Sequence, residues 1–102
     1  MFQKAFFPKT PHAEIKKEMQ KEGFSPTIIR DKPGFIYHPH KHPETKYLVC
    51  LNGSMKVTVN GETYDFEPGD KLIIPGNTKH SAVVGKKGCS FFWSEKLVAN
   101  KD

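Results

Sequence analysis

The chain has 102 residues, with 36% hydrophobic and 12% aromatic residues, a formal net charge of +5 and a sequence pI near 9.3. This length is typical of one domain with a modest core, and the composition excludes a low-complexity or disordered chain. The lysines are scattered among acidic residues and the chain has one arginine, Arg30, which argues against a nucleic-acid partner.

The cysteines and the N-terminus indicate a reducing compartment. Cys50 and Cys89 do not form a CxxC or any zinc-ribbon spacing, so neither a disulfide framework nor a zinc-ribbon site is predicted. No apolar run approaches the length of a membrane span, and the first residues lack the apolar region of a signal peptide. We therefore expect a cytoplasmic protein with no membrane association.

Residues 1–23 are predicted to form an extended arm and a short helix. Thr10 is a candidate N-cap with Pro11 at the first helical position, and Gly23 is expected to end the helix. The apolar stripe of this helix is thin, formed mainly by Ile15 and Met19, which favours a helix that packs on a sheet. This segment is assigned to the same domain as the residues that follow.

Residues 24–102 are predicted to form an antiparallel β-sandwich or barrel. About eight short strands are punctuated by Gly and Pro, a pattern typical of sandwiches and jelly rolls. Asn60-Gly61 predicts a type I′ hairpin turn, and residues 85–88, GKKG, predict a hairpin loop. In the last strand, residues 89–98, Phe91 and Phe92 are expected to face opposite sides.

Residues 34–53 contain most of the candidate chemistry. His38, His40 and His42 are spaced two apart, so on an extended strand their imidazoles would share one face. Imidazole is a common ligand of Zn, Fe, Ni and Cu. His80, in a later turn marked by Pro and Gly, is a further candidate ligand.

The glycine spacing around these histidines resembles a known motif. Gly34 is followed by five residues and His40, then by His42 two residues later, and Gly53 closes the segment. This arrangement resembles the first motif of the cupin superfamily, G-x5-H-x-H-x3-E-x6-G, except that Lys46 stands at the glutamate position.

A second segment resembles the other motif of that superfamily, G-x5-P-x-G-x2-H-x3-N. Gly69, Pro75 and His80 match it, whereas Asn77 replaces its glycine. Asn adopts positive φ more readily than most residues, so this change is expected to be tolerated in the turn. The resemblance covers about residues 30–95 and implies a small jelly-roll barrel whose metal ligands are His40, His42 and His80.

Two alternatives remain open at the first motif. Pairing His38 with His40 places Glu44 at the acid position, at the cost of the flanking glycine spacing. In the favoured register, Glu44 either bends inward as a ligand or neutralises Lys46. An ammonium beside a divalent cation is repelled, so Lys46 is the strongest departure from the motif.

The resemblance implies a metal-dependent protein of small molecules, with Zn, Ni, Fe or Mn as the metal. Family members of this size include isomerases and dioxygenases that act on small oxygen-bearing substrates. Lys46 and Glu44 are the candidate catalytic residues, with Lys46 binding an anionic substrate group or moving a proton. The competing hypothesis is a metal-free binding or sensing module in which Lys46 pairs with Glu44.

The resemblance also implies a homodimer. The Phe-rich arm, residues 1–9, is the candidate contact, as a segment that exchanges onto a neighbouring copy. No nucleic-acid or membrane partner is expected.

Overall fold

The computed structural model describes residues 1–97, in which seven β-strands and one helix form the regular structure. Residues 98–102, the end of the predicted barrel and of its last strand, lie outside the described residues. The elements are β1 (Phe2–Gln3), α1 (His12–Lys21), β2 (Thr27–Asp31), β3 (Ile36–His40), β4 (Thr45–Val59), β5 (Glu62–Phe66), β6 (Lys71–Ile74) and β7 (His80–Lys96).

All strand pairs are antiparallel, which confirms the predicted all-β jelly-roll class. The sheet order is β1-β6-β4-β7-β2, with β3 paired to β7 and β5 paired to β4. The hairpin between β4 and β5 has the predicted turn, because Asn60 and Gly61 have φ of 49° and 88°, the positive values of a type I′ turn.

The predicted hairpin loop at residues 85–88 is wrong, because these residues lie within the continuous strand β7. Residues 45–59 likewise form one continuous strand, β4, where short strands were predicted. The β4–β7 register shifts between Cys50 and Asn52 and again between Gly53 and Met55. Such bulges bend a strand without ending its pairing. The long strands therefore bend at the corner of the barrel, where loops between shorter strands were predicted.

Two apolar clusters lie on opposite sides of this sheet. The barrel interior holds one cluster, which includes Phe66 and Phe91. The other lies between the sheet and α1 and includes Met19, Tyr47 and Phe92. The alternation of Phe91 and Phe92 is therefore confirmed.

The helix begins one residue later than predicted. Pro11 occupies the N-cap position with an extended ψ of 142°, and its carbonyl accepts hydrogen bonds from the amides of Glu14 and Ile15. The Thr10 hydroxyl donates to the Pro8 carbonyl at 3.4 Å instead, so its predicted role as N-cap is wrong. No helix among residues 1–97 is long and apolar enough to cross a membrane.

The N-terminal arm packs on its own chain. Phe2 and Gln3 pair with Leu72 and Lys71 of β6. The fully buried carboxylate of Asp70 then accepts hydrogen bonds from the Ala5 amide at 2.7 Å and the Glu67 amide at 2.8 Å. Lys4 also pairs with Asp70, at 3.0 Å. One buried acid thus joins the arm to the turn before β6.

Candidate metal centre

A β-bulge in β3 determines which histidine faces the barrel interior. Tyr37 pairs with Ala82 and His40 pairs with His80, so three steps along β3 match two steps along β7. One extra residue reverses the inward and outward alternation. Tyr37 and His40 therefore both line the cavity, whereas the side chain of His38 is exposed.

Three histidines meet at one end of the barrel. The ring centroid of His40 lies 4.5 Å from that of His42 and 4.4 Å from that of His80. The centroids of His42 and His80 are 5.3 Å apart. One ring nitrogen from each lies within 4.8 Å of the others. These are the three histidines that the motif spacing selected, and the alternative arrangement of His38, His40 and Glu44 is not formed.

Backbone carbonyls orient two of the imidazoles. Nδ1 of His80 lies 2.9 Å from the carbonyl oxygen of Thr78, and Nδ1 of His40 contacts the carbonyl oxygen of His38. A carbonyl oxygen can only accept, so each Nδ1 carries the proton and each Nε2 keeps its lone pair. Metal-ligating histidines are held in this manner, and His38 contributes through its main chain only.

The turn that carries His80 rests on the loop that carries His42. The Asn77 amide donates to the His42 carbonyl at 2.5 Å, and Asn77 has the positive φ, 61°, that was expected of it. A Cβ atom at Gly76 would lie 2.2 Å from the carbonyl oxygen of Pro43. This close backbone approach fixes the spacing between the two motif segments.

The surroundings of His42 and His80 favour their neutral imidazoles. Burial lowers the pKa of His42 and His80, and the positive charge of Lys46 and the neighbouring histidines lower the pKa of both further. The carbonyl of Thr78 partly opposes this shift of the pKa of His80, as the charge of Glu44 does for His42. A metal binds the neutral form of imidazole, so the lowered pKa values of His42 and His80 favour metal binding.

Lys46 is buried and paired, but its partner is not the predicted one. Its side chain is 8% exposed, and its Nζ forms an ion pair with the carboxylate of Glu95 and lies 5.0 Å from the ring centroid of Trp93. Lys46 and Glu95 are direct partners in the β4–β7 register. The expected pairing of Lys46 with Glu44 is therefore wrong, because the neighbouring strand supplies the carboxylate.

Sequence reasoning missed Glu95, although a signal was present. Phe91, Trp93 and Glu95 are spaced two apart at the end of β7, and Phe91 faces the barrel interior. The same alternation that separates Phe91 from Phe92 places Glu95 on the interior side. The pairing of Glu95 with Lys46 also depends on the β4–β7 register, which a single strand does not reveal.

The three histidines and Lys46 open into a cavity of about 380 Å³. This volume lies within the range of small-molecule sites. Most of the cavity wall is apolar, with the cluster and Lys46 at one end. The donor set fits a transition metal, since it offers three imidazoles and keeps further coordination positions facing the cavity.

Residues 27–95 match the family model of the cupin domain. The chain belongs to the cupin family. The match covers β2 to β7 almost completely, and so it includes both segments that bring the histidines together in this cupin.

Two curated relatives are enzymes by name. This cupin is 36% identical over 59 residues to the dimethylsulfoniopropionate lyase DddW of Ruegeria pomeroyi, covering 58% of the chain and 39% of the relative. It is 44% identical over 45 residues to the quercetin 2,3-dioxygenase of Bacillus subtilis, covering 44% of the chain and 12% of the relative. The chain thus spans less than half the length of either relative.

Solved cupin structures share the fold. The cupin domain of Schizosaccharomyces pombe Cnp3 aligns with a TM-score of 0.67 at 18% identity, over 74% of this chain and 56% of that one. Oxalate decarboxylase of Bacillus subtilis, a protein with Mn(II) centres, aligns with a TM-score of 0.61 at 26% identity, over 72% of this chain and 21% of that one.

Proposed function

We propose that this cupin is a metal-dependent protein that acts on a small, oxygen-bearing anionic molecule. The proposed ligands are His40, His42 and His80. The observation that carries this proposal is the convergence of the three imidazoles on a cavity, with Nε2 of His40 and His80 left free by carbonyls that hold Nδ1. One ring nitrogen of each histidine lies within 4.8 Å of the others, which supports a shared metal ion.

The donor set favours Zn, Ni or Fe over Mn. Among the described residues the cluster consists of histidines alone, and the residue at the family's glutamate position is Lys46. Borderline nitrogen ligands suit Zn, Ni and Fe, whereas Mn prefers carboxylate and other oxygen ligands. When bound, such a metal supplies a Lewis acid that polarises an oxygen of the substrate.

The lyase and dioxygenase relatives support an enzymatic reaction, with an isomerase as a further class. In this proposal Lys46 contacts the anionic group of the substrate or transfers a proton at Nζ, with Glu95 as its partner. Glu44 is the second proposed proton carrier. It is partly buried in the loop that carries His42, and its charge raises the pKa of His42, but it is not among the residues that line the cavity.

One observation favours the competing function, a metal-free binding or sensing module. Lys46 places a buried cation at a position where the family motif has a metal ligand. Under that function the imidazoles would serve as hydrogen-bonding groups for a ligand. The two functions differ in one measurable property, the metal content of the purified protein.

Metal analysis by mass spectrometry, followed by titration of the metal-free protein with Zn or Ni, tests the proposal. We expect one metal per chain, and a loss of affinity of more than about 100-fold in His80→Ala. The matched control is His38→Ala, which removes an exposed imidazole and should bind metal normally. Absence of uptake by a folded wild-type protein, or equal loss in both variants, would overturn the metal-dependent function.

A further inference from the structure

The cavity is polar at one end and apolar below it. The strand register shows this first on the wall formed by the start of β7 and the end of β4. His80 faces Val59 across the β4–β7 pairing, and the next inward pair is Ala82 with Val57. Residues two apart on a strand point to the same side. This wall therefore passes directly from an imidazole to aliphatic side chains.

The second wall repeats the arrangement. Lys46 pairs with Glu95, and the next inward pair is Leu48 with Trp93. A further step leads to Phe91, which lies on the cavity wall and in the buried barrel core. Both walls thus place their charged or imidazole groups in the same outer layer and apolar groups beneath it.

Besides the indole N–H of Trp93, two polar side chains line the cavity apart from this outer layer of histidines and Lys46. Tyr37 is one, but its hydroxyl donates to the carboxylate of Asp31, and burial together with that carboxylate raises the pKa of Tyr37 so that the proton stays on the hydroxyl. Ser81 is the other, next to His80. The apolar layers accordingly offer very few partners to a ligand rich in hydroxyl groups.

The outer layer favours an anionic group at its end of the cavity. Glu95 neutralises Lys46, and an imidazole that binds a metal does so in its neutral form. The residues therefore add little net positive charge beyond that of the proposed metal. One carboxylate of the ligand is therefore attracted mainly by the metal, whereas a second anionic group further along the ligand would lie against apolar side chains.

We propose, on the basis of the metal-dependent function above, that the substrate is an amphipathic monocarboxylate with an apolar body. Its carboxylate lies at the end formed by His40, His42, His80 and Lys46. Its hydrocarbon or aromatic body lies against the apolar layers that include Leu48, Val57 and Trp93.

This substrate class excludes sugar acids. A polyhydroxylated chain in this cavity would exchange water for apolar walls at most of its hydroxyl groups, and each unpaired buried hydroxyl weakens binding. An alkyl chain gains from the same walls. We expect affinity to rise about fourfold for each methylene group added to a short alkanoate until the cavity is filled.

The test uses the fluorescence of Trp93, which is the single tryptophan of the chain and lines the cavity. Zn-loaded protein is titrated with hexanoate, hexan-1-ol and gluconate, three six-carbon molecules that differ in the head group or the body. We expect a saturable change in fluorescence, with hexanoate binding at least about tenfold more tightly than the other two.

Two matched variants separate a wall effect from a general loss of stability. Val57→Thr places a hydroxyl on the cavity wall, whereas Val84→Thr makes the same change at a buried residue of the barrel core. We expect weaker hexanoate binding in Val57→Thr only, by about three- to tenfold. The urea denaturation midpoint of each variant shows that both are folded under the assay conditions.

The outcomes distinguish this inference from the proposed function. Binding of one Zn per chain together with tighter binding of hexanoate than of hexan-1-ol and gluconate supports both the proposed function and the substrate class. Stoichiometric Zn with equal or tighter binding of gluconate or hexan-1-ol overturns the substrate class alone. Failure to bind metal overturns the proposed function and the inference that rests on it.

Discussion

At the scale of single residues, Lys46 is the side chain that most affects the metal centre. Its ammonium is buried beside the three imidazoles, and the free energy cost of burying that charge is offset by Glu95. Glu95 keeps 34% of its side chain exposed, so it can be hydrated without Lys46. The pair is therefore asymmetric, and removing the cation leaves an anion that water can stabilise.

We expect Lys46→Met to bind Zn more tightly, by roughly tenfold or more, because a buried cation near the metal is removed. Competition with a chromophoric chelator measures the affinity. The matched control is Lys56→Met, which removes an exposed lysine that is also paired across strands, with Asp65. Unchanged or weaker binding in Lys46→Met would show that Lys46 does not oppose the metal.

His80 also gives the metal-free protein a pH-dependent stability. Its pKa is lowered in the folded state from the ordinary value of 6.5, chiefly by burial. The unfolded chain then binds more protons at this site, so the unfolding free energy decreases as the pH falls below about 6.5 and levels off below the folded-state pKa.

We expect His80→Asn to lose part of this dependence, seen as a shallower decline in urea stability between about pH 8 and pH 5. His38→Asn removes an exposed imidazole and is the control, expected to keep the slope of the wild type. A wild-type slope in His80→Asn would contradict the assignment of a buried, neutral imidazole.

The ligand candidates could be selected from the sequence because the motif fixes their spacing from Gly34 and Gly69. The sequence could not show why His38 points away from the metal centre, because its orientation depends on one extra residue in β3 opposite β7. Glu95 was missed for a similar reason. Its contact with Lys46 joins residues far apart in the chain and depends on the register of two strands.

At the scale of elements, the turn before β7 positions the site through the backbone. Gly76 lies against the carbonyl of Pro43, and Asn77 donates to the carbonyl of His42. These contacts set the distance between the loop with His42 and the strand with His80. A side chain at residue 76 would have to push the two segments apart.

We expect Gly76→Ala to weaken metal affinity by roughly tenfold, since overpacking by one methyl group costs about 1–3 kcal/mol. Gly61→Ala is the control. Gly61 has φ of 88° with no neighbour within 4 Å of an added Cβ atom, so that variant should lose stability without losing metal affinity. Equal metal affinity in Gly76→Ala and the wild type would show that the contact does not position the ligands.

Asp70 gives the N-terminal arm its attachment. Its fully buried carboxylate joins the amides of Ala5 and Glu67, and removing it would leave those amides unpaired. We expect Asp70→Ala to lower the unfolding free energy by about 2–4 kcal/mol, measured by urea denaturation. Glu67→Ala removes an exposed partner of Lys4 and should cost less than about 1 kcal/mol. Similar losses in the two variants would contradict the importance of burial.

The sequence predicted a turn correctly where the turn depends only on neighbouring residues. Asn60-Gly61 formed the predicted hairpin because both residues adopt positive φ. The glycines of residues 85–88 led to the wrong prediction of a loop, because the need for glycine there comes from contacts with residues distant in the chain. Gly53 is required where β4 and β7 cross closely, since a Cβ atom at Gly53 would lie 2.0 Å from the carbonyl oxygen of Gly88. A Cβ atom at Gly88 would lie 2.8 Å from the carbonyl oxygen of Asp31.

At the scale of the whole molecule, the apolar surface suggests how two copies would meet. Phe35, Ile36 and Val83 are 48%, 51% and 48% exposed, and Ile36 and Val83 are direct partners across β3 and β7. Since β3 pairs only with β7 within the described sheet, it also offers a free edge. Apolar side chains beside such an edge are a common site of association.

We expect the protein to be a homodimer through this surface, with twice the chain mass of 11.6 kDa in light scattering. Ile36→Lys should shift it to the monomer, whereas Leu97→Lys, at another exposed apolar residue, should not. Deleting residues 1–9 should lower stability, because the arm packs on its own chain. Exchange of this arm onto a neighbouring copy stays a prediction, and loss of the dimer on the same deletion would support it. A monomeric wild-type protein would refute dimerisation, and a dimer that persists in Ile36→Lys would refute this contact.

The carbonyl oxygens that orient His40 and His80 have an evolutionary consequence. In each case the acceptor belongs to the residue two positions earlier, His38 or Thr78, and main-chain atoms are not removed by substitution. Both imidazoles can therefore keep their orientation while surrounding side chains diverge, as long as the backbone path is preserved. In such a barrel a lysine can replace the acidic ligand while Nε2 of both imidazoles keeps its orientation. The histidines can then serve a reaction that the acidic ligand did not support.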